Sequence, residues 1–237
     1  MSGKGLAVIV GASQGAGETV AKGLAEDGYT TVLLARNKEK LDSVAKYSSE
    51  KTGRLPYVFS VDITNHAELF VVIEKIKNMG KPVDVLVNVA GRYAHGTLDL
   101  DEEEFRTVLE TNVVAQFTVI KNLVPLMKQQ KHGYIIDIAS RAGKYGFSGR
   151  GLYVASKFAL VGLGESLYRE LAAFNIKVTT VCPAWINTAM ASQAKTPFPG
   201  EDMIQPEDIL NTIRYLLNLS KGACIREMLI ECPKSVL

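Results

Sequence analysis

Short, almost uninterrupted apolar runs alternate along the chain with longer stretches in which apolar residues return every three to four positions. The runs at residues 6–10, 31–35, 57–61, 83–89, 134–139, 177–181 and 228–230 are short and rich in β-branched residues, which predicts buried strands. Between them the helical period predicts helices over 16–27, 38–51, 67–79, 102–128, 153–174 and 207–217. Gly28, Gly53 and Gly80 follow three of these stretches as C-terminal stops. Asp101 with Glu104 three residues later reads as a helix N-cap and its capping-box partner, so the acidic run 99–104 is a helix start rather than a metal site. Strict alternation of strand and helix predicts an α/β fold: one doubly wound parallel sheet with helices on both faces. No repeat and no Ser/Pro-rich linker divides the chain, so residues 1–237 are expected to form a single domain.

Composition narrows the function classes. An apolar content of 47% with 22% charged residues excludes a disordered chain. The balance of 27 basic against 25 acidic residues excludes a nucleic-acid binder that works by bulk positive charge. No apolar run approaches the ~18 residues of a membrane span, and the first run is too short for a signal peptide, so a cytoplasmic protein is expected. Cys182, Cys224 and Cys232 form neither a CxxC pair nor an even set, which fits buried thiols in a reducing compartment.

The first strand runs into Gly11-Ala12-Ser13-Gln14-Gly15-Ala16-Gly17 and then directly into a helix. A strand, a glycine-rich turn and a helix N-terminus form the place where a parallel sheet takes a dinucleotide pyrophosphate, through backbone N–H groups and the helix dipole. The spacing is GxxxGxG rather than GxGxxG. The same residues also spell G-x-S-x-G, the nucleophile elbow of a serine hydrolase, with Ser13 as nucleophile. That alternative needs a downstream acid and then a histidine. Only His66, His95 and His132 are present, and an elbow on the first strand is a poor position.

Tyr153 and Lys157 stand at i and i+4 in Tyr-Val-Ala-Ser-Lys, on one helix face. An ammonium beside a phenol favours the phenolate and is expected to pull the tyrosine below its usual ~10. Tyr47 and Lys51 make a second such pair, read as solvated helix surface. The first pair is distinguished by Ser140, which leaves the C-terminal end of a predicted strand, where the ligand crevice of such a sheet lies.

In these motifs the sequence resembles the short-chain dehydrogenase/reductase family over nearly its whole length, which implies a Rossmann-like sheet. Gly11, Gly15 and Gly17 match the family's cofactor turn, Asp62 its residue near the adenine, and Asn88-Val89-Ala90-Gly91 its Asn-Asn-Ala-Gly segment. Asn112, Ser140, Tyr153 and Lys157 match the catalytic tetrad, and the segment from Pro183 to Thr188 matches the stretch beside the nicotinamide. Val10, Val89 and Ala184 depart from the family's Thr, Asn and Gly. The resemblance implies carbonyl reduction with Tyr153 as proton donor and Ser140 bonding the substrate oxygen. Lys157 would tune the tyrosine and hold the ribose, and Asn112 would position a water leading to Lys157. Ser156 reads as packing. A homodimer or homotetramer is the family expectation.

Coenzyme choice is read at the end of the second strand. About twenty residues after Gly15 an NAD enzyme carries an acid for the ribose 2′-hydroxyl, but Leu33-Leu34-Ala35-Arg36-Asn37 offers Arg36. A guanidinium suits a 2′-phosphate, so the expected cofactor is NADPH, with Ser13 or Lys38 as helpers. The substrate is expected to be a small carbonyl compound, with 3-oxoacyl thioesters one subtype, although the C-terminus lacks the Gly-Gly segment of many ketoacyl reductases. Arg141, Lys144 and Arg150 after Ser140 could attract an anionic substrate or be solvated loop charges. Residues 189–205 are expected to form a substrate lid, with Met190, Phe198 and Met203 as its apolar cover. A dinucleotide-binding regulator without turnover is the third reading.

Overall fold

The first strand, β1 (Leu6–Val10), is apolar at all five positions and buried at all five, because it lies mid-sheet with helices over both faces. In a computed structural model describing residues 4–236, six further strands join it: β2 (Thr30–Ala35), β3 (Tyr57–Ser60), β4 (Val83–Asn88), β5 (Gly133–Ile138), β6 (Ile176–Pro183) and β7 (Glu227–Ile230). All pair in parallel, in the order β3-β2-β1-β4-β5-β6-β7. The order reverses between β1 and β4, so the loops at their C-terminal ends part there and open a crevice. Every strand and helix predicted from the pattern is present, with ends shifted by a few residues.

The helices are α1 (Gly15–Glu26), α2 (Lys38–Thr52), α3 (His66–Lys77), α4 (Glu102–Leu109), α5 (Ala115–Gln130), α6 (Gly151–Leu171), α7 (Ala189–Gln193) and α8 (Pro206–Asn218). Strand alternation divides the core between the two faces. Ala7 and Ile9 of β1 pack with α1, α2 and α8, whereas Leu6, Val8 and Val10 pack with α3 and α5. Local chemistry sets the ends: Asn37 and Asn65 accept from backbone N–H groups three residues on, and Gly53 closes α2 at φ +68°. Asp101 caps α4 as expected, but Glu104 does not reciprocate, since its carboxylate pairs with Arg92 at 2.9 Å.

The one departure inside an element is in the helix expected over 102–128. A π turn, Glu110–Val114, separates α4 from α5 and carries the buried Asn112. Among the described residues no helix is long and apolar enough to cross a membrane. The cysteines are free thiols; Cys182 and Cys232 are buried, while Cys224 is only partly covered, contrary to the expectation of three buried thiols.

Candidate active site

The glycine turn is built for close approach. Gly11 has φ +93°, and a Cβ there would stand 2.7 Å from the Ala90 nitrogen. Gly17 lies beneath it, where a Cβ would collide with the Gly11 carbonyl. Gln14, the N-cap of α1, gives its helix no side-chain cap, because its amide oxygen accepts from Lys40 Nζ at 2.9 Å. The first N–H groups of α1 are therefore left for an anion, with the positive end of the helix behind them. A Cβ on Gly15 would stand 2.9 Å from Thr188 Cγ2, so the turn abuts the segment that follows β6.

These groups open on a crevice of about 900 Å³. Gly11, Ser13 and Gly15 line it, as do Arg36 and Asp62 after β2 and β3, and Ala90, Gly91, Pro183 and Thr188 at or after the ends of β4 and β6. Asp62 accepts from the Thr64 N–H at 3.0 Å and hydroxyl at 2.7 Å. Partial burial works to raise its pKa, but those two hydrogen bonds, with Arg36, outweigh it and hold the carboxyl below its usual range. Arg36 itself is exposed and only 3.8 Å from Asp62, a loose pairing that leaves its N–H edges available.

Ser140, Tyr153 and Lys157 meet on the same wall. Ser140 leaves β5 in extended conformation, its hydroxyl accepting from the Ala142 N–H at 3.1 Å. Tyr153 sits one turn into α6 with its ring edge-on to Tyr93, centroids 5.2 Å apart. Lys157 is buried and donates to the Ile138 carbonyl at 3.2 Å. Its Nζ is 5.6 Å from the centre of the Tyr153 ring. Burial pushes the Tyr153 phenol up to about 12 and Tyr93 adds to this, while Ser140 and Arg150 pull the other way. The expected lowering by Lys157 is absent, because burial brings the lysine itself down to about 8, so it has lost its charge before the phenol titrates. A phenol held near 12 is protonated at neutral pH, the state a proton donor needs.

Asn112 lies behind this wall rather than on it. Its Oδ1 accepts from the Arg92 N–H at 2.7 Å, and its Nδ2 donates to the Arg92 carbonyl and to Ser156 Oγ, both at 2.9 Å. Ser156 in turn donates to the Tyr153 carbonyl at 2.7 Å, so a residue read as packing ties Asn112 to the start of α6. A Cβ on Gly91 would be 3.6 Å from both Asn112 Oδ1 and Lys157 Nζ, so both polar groups face the space left by the missing side chain of that glycine.

Residues 5–197 match the short chain dehydrogenase family. The chain belongs to that family. A 3-oxoacyl-(acyl-carrier-protein) reductase, FabG, from Thermotoga maritima is 32% identical over 219 residues, 88% of each chain. A crystal structure of a betaketoacyl-(ACP) reductase (FabG) from Bacteroides thetaiotaomicron is 46% identical, with a TM-score of 0.87 and 99% of both chains covered. An actinorhodin polyketide ketoreductase variant solved with NADPH is 29% identical, with a TM-score of 0.86 over 95% of this chain and 94% of its own.

In this short-chain dehydrogenase no histidine reaches the crevice surface beside Ser13, and His95 packs against Gly149. His66 pairs with Glu110 at 2.8 Å and His132 with Asp84 at 3.1 Å, and no histidine is among the residues lining the crevice with Ser13. Ser13 therefore has no base, and the hydrolase reading falls. Two further expectations change. Lys38 turns to Asp42 at 2.8 Å, and the lysine at the start of α2 that lines the crevice is Lys40. Of the lid residues Met190 lines the crevice, whereas Met203 lies on a separate groove toward β7, and the 200–205 stretch is tied down by Gln205 bonds to the Gly200 and Met203 carbonyls.

Asn88 also differs from its expected place as a cofactor contact. It is fully buried and donates to Asp137 Oδ1 at 2.7 Å, across paired strands β4 and β5, beneath the wall. Its own Oδ1 and Asp137 Oδ2 are buried without a partner among the described residues. Burial raises Asp137 to about 6, against the lowering by Asn88 and Lys157. Between its ordinary value and about 6 the folded protein keeps a proton that the unfolded chain has released, so this group's contribution to stability falls as pH rises through that window. Asp137→Asn removes that loss. The unfolding free-energy difference, variant minus wild type, is expected to be more favourable at pH 7 than at pH 4 by about 1–3 kcal/mol in denaturant titrations. A difference that does not change with pH would show that Asp137 is not the titrating group.

Proposed function

We propose that this short-chain dehydrogenase is an NADPH-dependent reductase of ketones, with 3-oxoacyl thioesters as its substrate class. The observation that carries the reading is the meeting of Ser140, Tyr153 and Lys157 on the wall of the crevice that Gly11, Gly15 and Thr188 line. The donor set fits a dinucleotide: uncapped N–H groups at α1 for the pyrophosphate, Asp62 near the adenine, and Arg36, Ser13 and Lys40 for a 2′-phosphate. When bound, reduced nicotinamide supplies a hydride to the carbonyl carbon. Tyr153 gives its proton to the carbonyl oxygen as the alcohol forms, and Ser140 donates a hydrogen bond to that oxygen. Lys157 holds the ribose hydroxyls, and Asn112 fixes Arg92 and α6 so that these groups keep their spacing. The substrate class is supported by the two FabG relatives, one nearly half identical over the whole chain.

A homodimer or homotetramer belongs to the same reading, with the exposed Phe105, Phe117 and Phe158 as apolar surface for it to cover. The test is NADPH oxidation followed across ketone, quinone and 3-oxoacyl thioester panels. Turnover of thioesters at the highest kcat/KM supports the assignment, and inactivity toward every carbonyl class overturns it.

Residues 189–205 act as a lid in this proposal, with α7 as the moving part, since Thr188 is its N-cap and it brings Met190 to the crevice. Amide exchange across α7 is expected to be fast in the free protein and to slow at least ~10-fold when NADPH and a substrate analogue are both present. Equal protection in both states would make the segment scaffold.

A further inference from the structure

The loop between Ser140 and α6 carries three basic residues, and the fold treats them differently. Arg141 is held by Glu231 at 3.0 Å and by Ser235 at 2.6 Å, and Lys144 by Glu227 at 2.9 Å. Both are spent on the strand β7 side of the molecule. Arg150 has no carboxylate within ion-pair distance and no side-chain hydrogen bond among the described residues, yet it is half-buried and lines the crevice. Its guanidinium lies 5.0 Å from the Trp185 ring centre and 5.7 Å from that of Phe147. Contact through the face of a guanidinium leaves its in-plane N–H groups free. No Arg150 nitrogen is among the buried atoms without a partner, so its donors open on the crevice, where a ligand can meet them.

Arg150 is the N-cap of α6 and Tyr153 the third residue in, so their side chains leave the helix start about one turn apart. The charge of Arg150 is felt at the Tyr153 phenol, which it pulls downward. A substrate whose keto oxygen is at Tyr153 and Ser140 therefore presents its neighbouring atoms to Arg150.

We propose that Arg150 is a specificity-determining residue that donates hydrogen bonds to a second carbonyl oxygen, β to the ketone being reduced. This inference rests on the ketone-reductase reading. The second oxygen can belong to a thioester or to a free carboxylate, and both are acceptors a guanidinium takes. Trp185 and Phe147 keep the fork in place, so selection for 1,3-dicarbonyl substrates over simple ketones is set before substrate arrives.

The test uses the full chain with NADPH and three substrates: 3-oxobutanoyl-N-acetylcysteamine, 3-oxobutanoate and cyclohexanone. Wild-type inactivity toward all three overturns the ketone-reductase reading, and this inference with it. Given wild-type turnover, Arg150→Met keeps an apolar stem against the rings and removes every donor. The ratio of kcat/KM for the thioester or the acid over that for cyclohexanone is expected to fall at least ~10-fold, with partial recovery in Arg150→Lys. A fall confined to the acid identifies a keto acid as ligand, and a fall for the thioester identifies an acyl thioester. Equal losses on all three substrates, or no loss, overturn the inference, because a packing role or an effect through the Tyr153 phenol moves all three together. NADPH binding by fluorescence establishes that the Met variant is folded; should it fail to bind, the same ratio measured on Arg150→Lys decides.

Discussion

Replacing Tyr153 with Phe is expected to lower kcat for ketone reduction by at least ~100-fold while leaving the NADPH dissociation constant within about threefold. The ring stays, and with it the edge contact to Tyr93 and the helix start that Ser156 braces through the Tyr153 carbonyl. What is lost is one hydroxyl and its proton. Ser140 does not replace it, since a neutral serine hydroxyl is a far weaker acid than a phenol, even one that burial holds near 12. Because the phenol is protonated well past neutrality, the wild-type reduction rate should not fall from tyrosine ionisation between pH 6 and about 9. An alkaline limb centred near 8 would instead report Lys157, whose burial brings it to about that value. Stopped-flow measurement of NADPH oxidation with a verified substrate checks both statements. A Phe variant keeping more than about a tenth of wild-type turnover would remove Tyr153 from the role of proton donor.

The strands and helices were legible because their apolar periods are long and their ends carry Asn, Asp and Gly stops. The crevice was legible because Gly11, Arg36, Asp62, Ala90 and Ser140, distant in sequence, all follow the C-terminal ends of neighbouring strands. Other features depend on contacts that no local pattern encodes. The π turn at Glu110–Val114 adds one residue to a helical period and changes no apolar position enough to be read. Asn88 matches a cofactor motif, but its register partner is Asp137, and that buried pair turns its amide away from the crevice. Arg141, Lys144 and Arg150 look alike in sequence; only the arrival of Glu227, Glu231 and Ser235 from the far end of the chain sets the first two apart from Arg150, which has no carboxylate partner among the described residues. Lys38 and Lys40 lie two residues apart at the start of α2, and helix rotation alone decides that Lys40 faces the crevice.

Arg36→Asp is expected to take the ratio of NADH to NADPH dissociation constants from at least ~10 in the wild type to below 1. Ten is about 1.4 kcal/mol, which one charge-assisted contact to a 2′-phosphate supplies even when solvent screens it. Screening matters here because Arg36 is about four-fifths exposed, with its side chain at 80% of full accessibility. Its present partner, Asp62 at 3.8 Å, is already satisfied by Thr64, so taking a phosphate costs Arg36 little. An aspartate at position 36 repels the phosphate. It can also accept from the free 2′-hydroxyl of NADH, the role an acid has at the end of the second strand in NAD enzymes. Lys40 would then be the remaining cation for a 2′-phosphate, though its ammonium donates to Gln14, so some NADPH binding should persist in the variant. Fluorescence titrations at fixed ionic strength measure both constants, and equal wild-type affinity for the two coenzymes would reject the NADPH assignment. The same titrations in rising salt separate charge from shape: the wild-type preference should shrink as the exposed guanidinium is screened, and the inverted preference of the variant should shrink with it only as far as phosphate repulsion contributes.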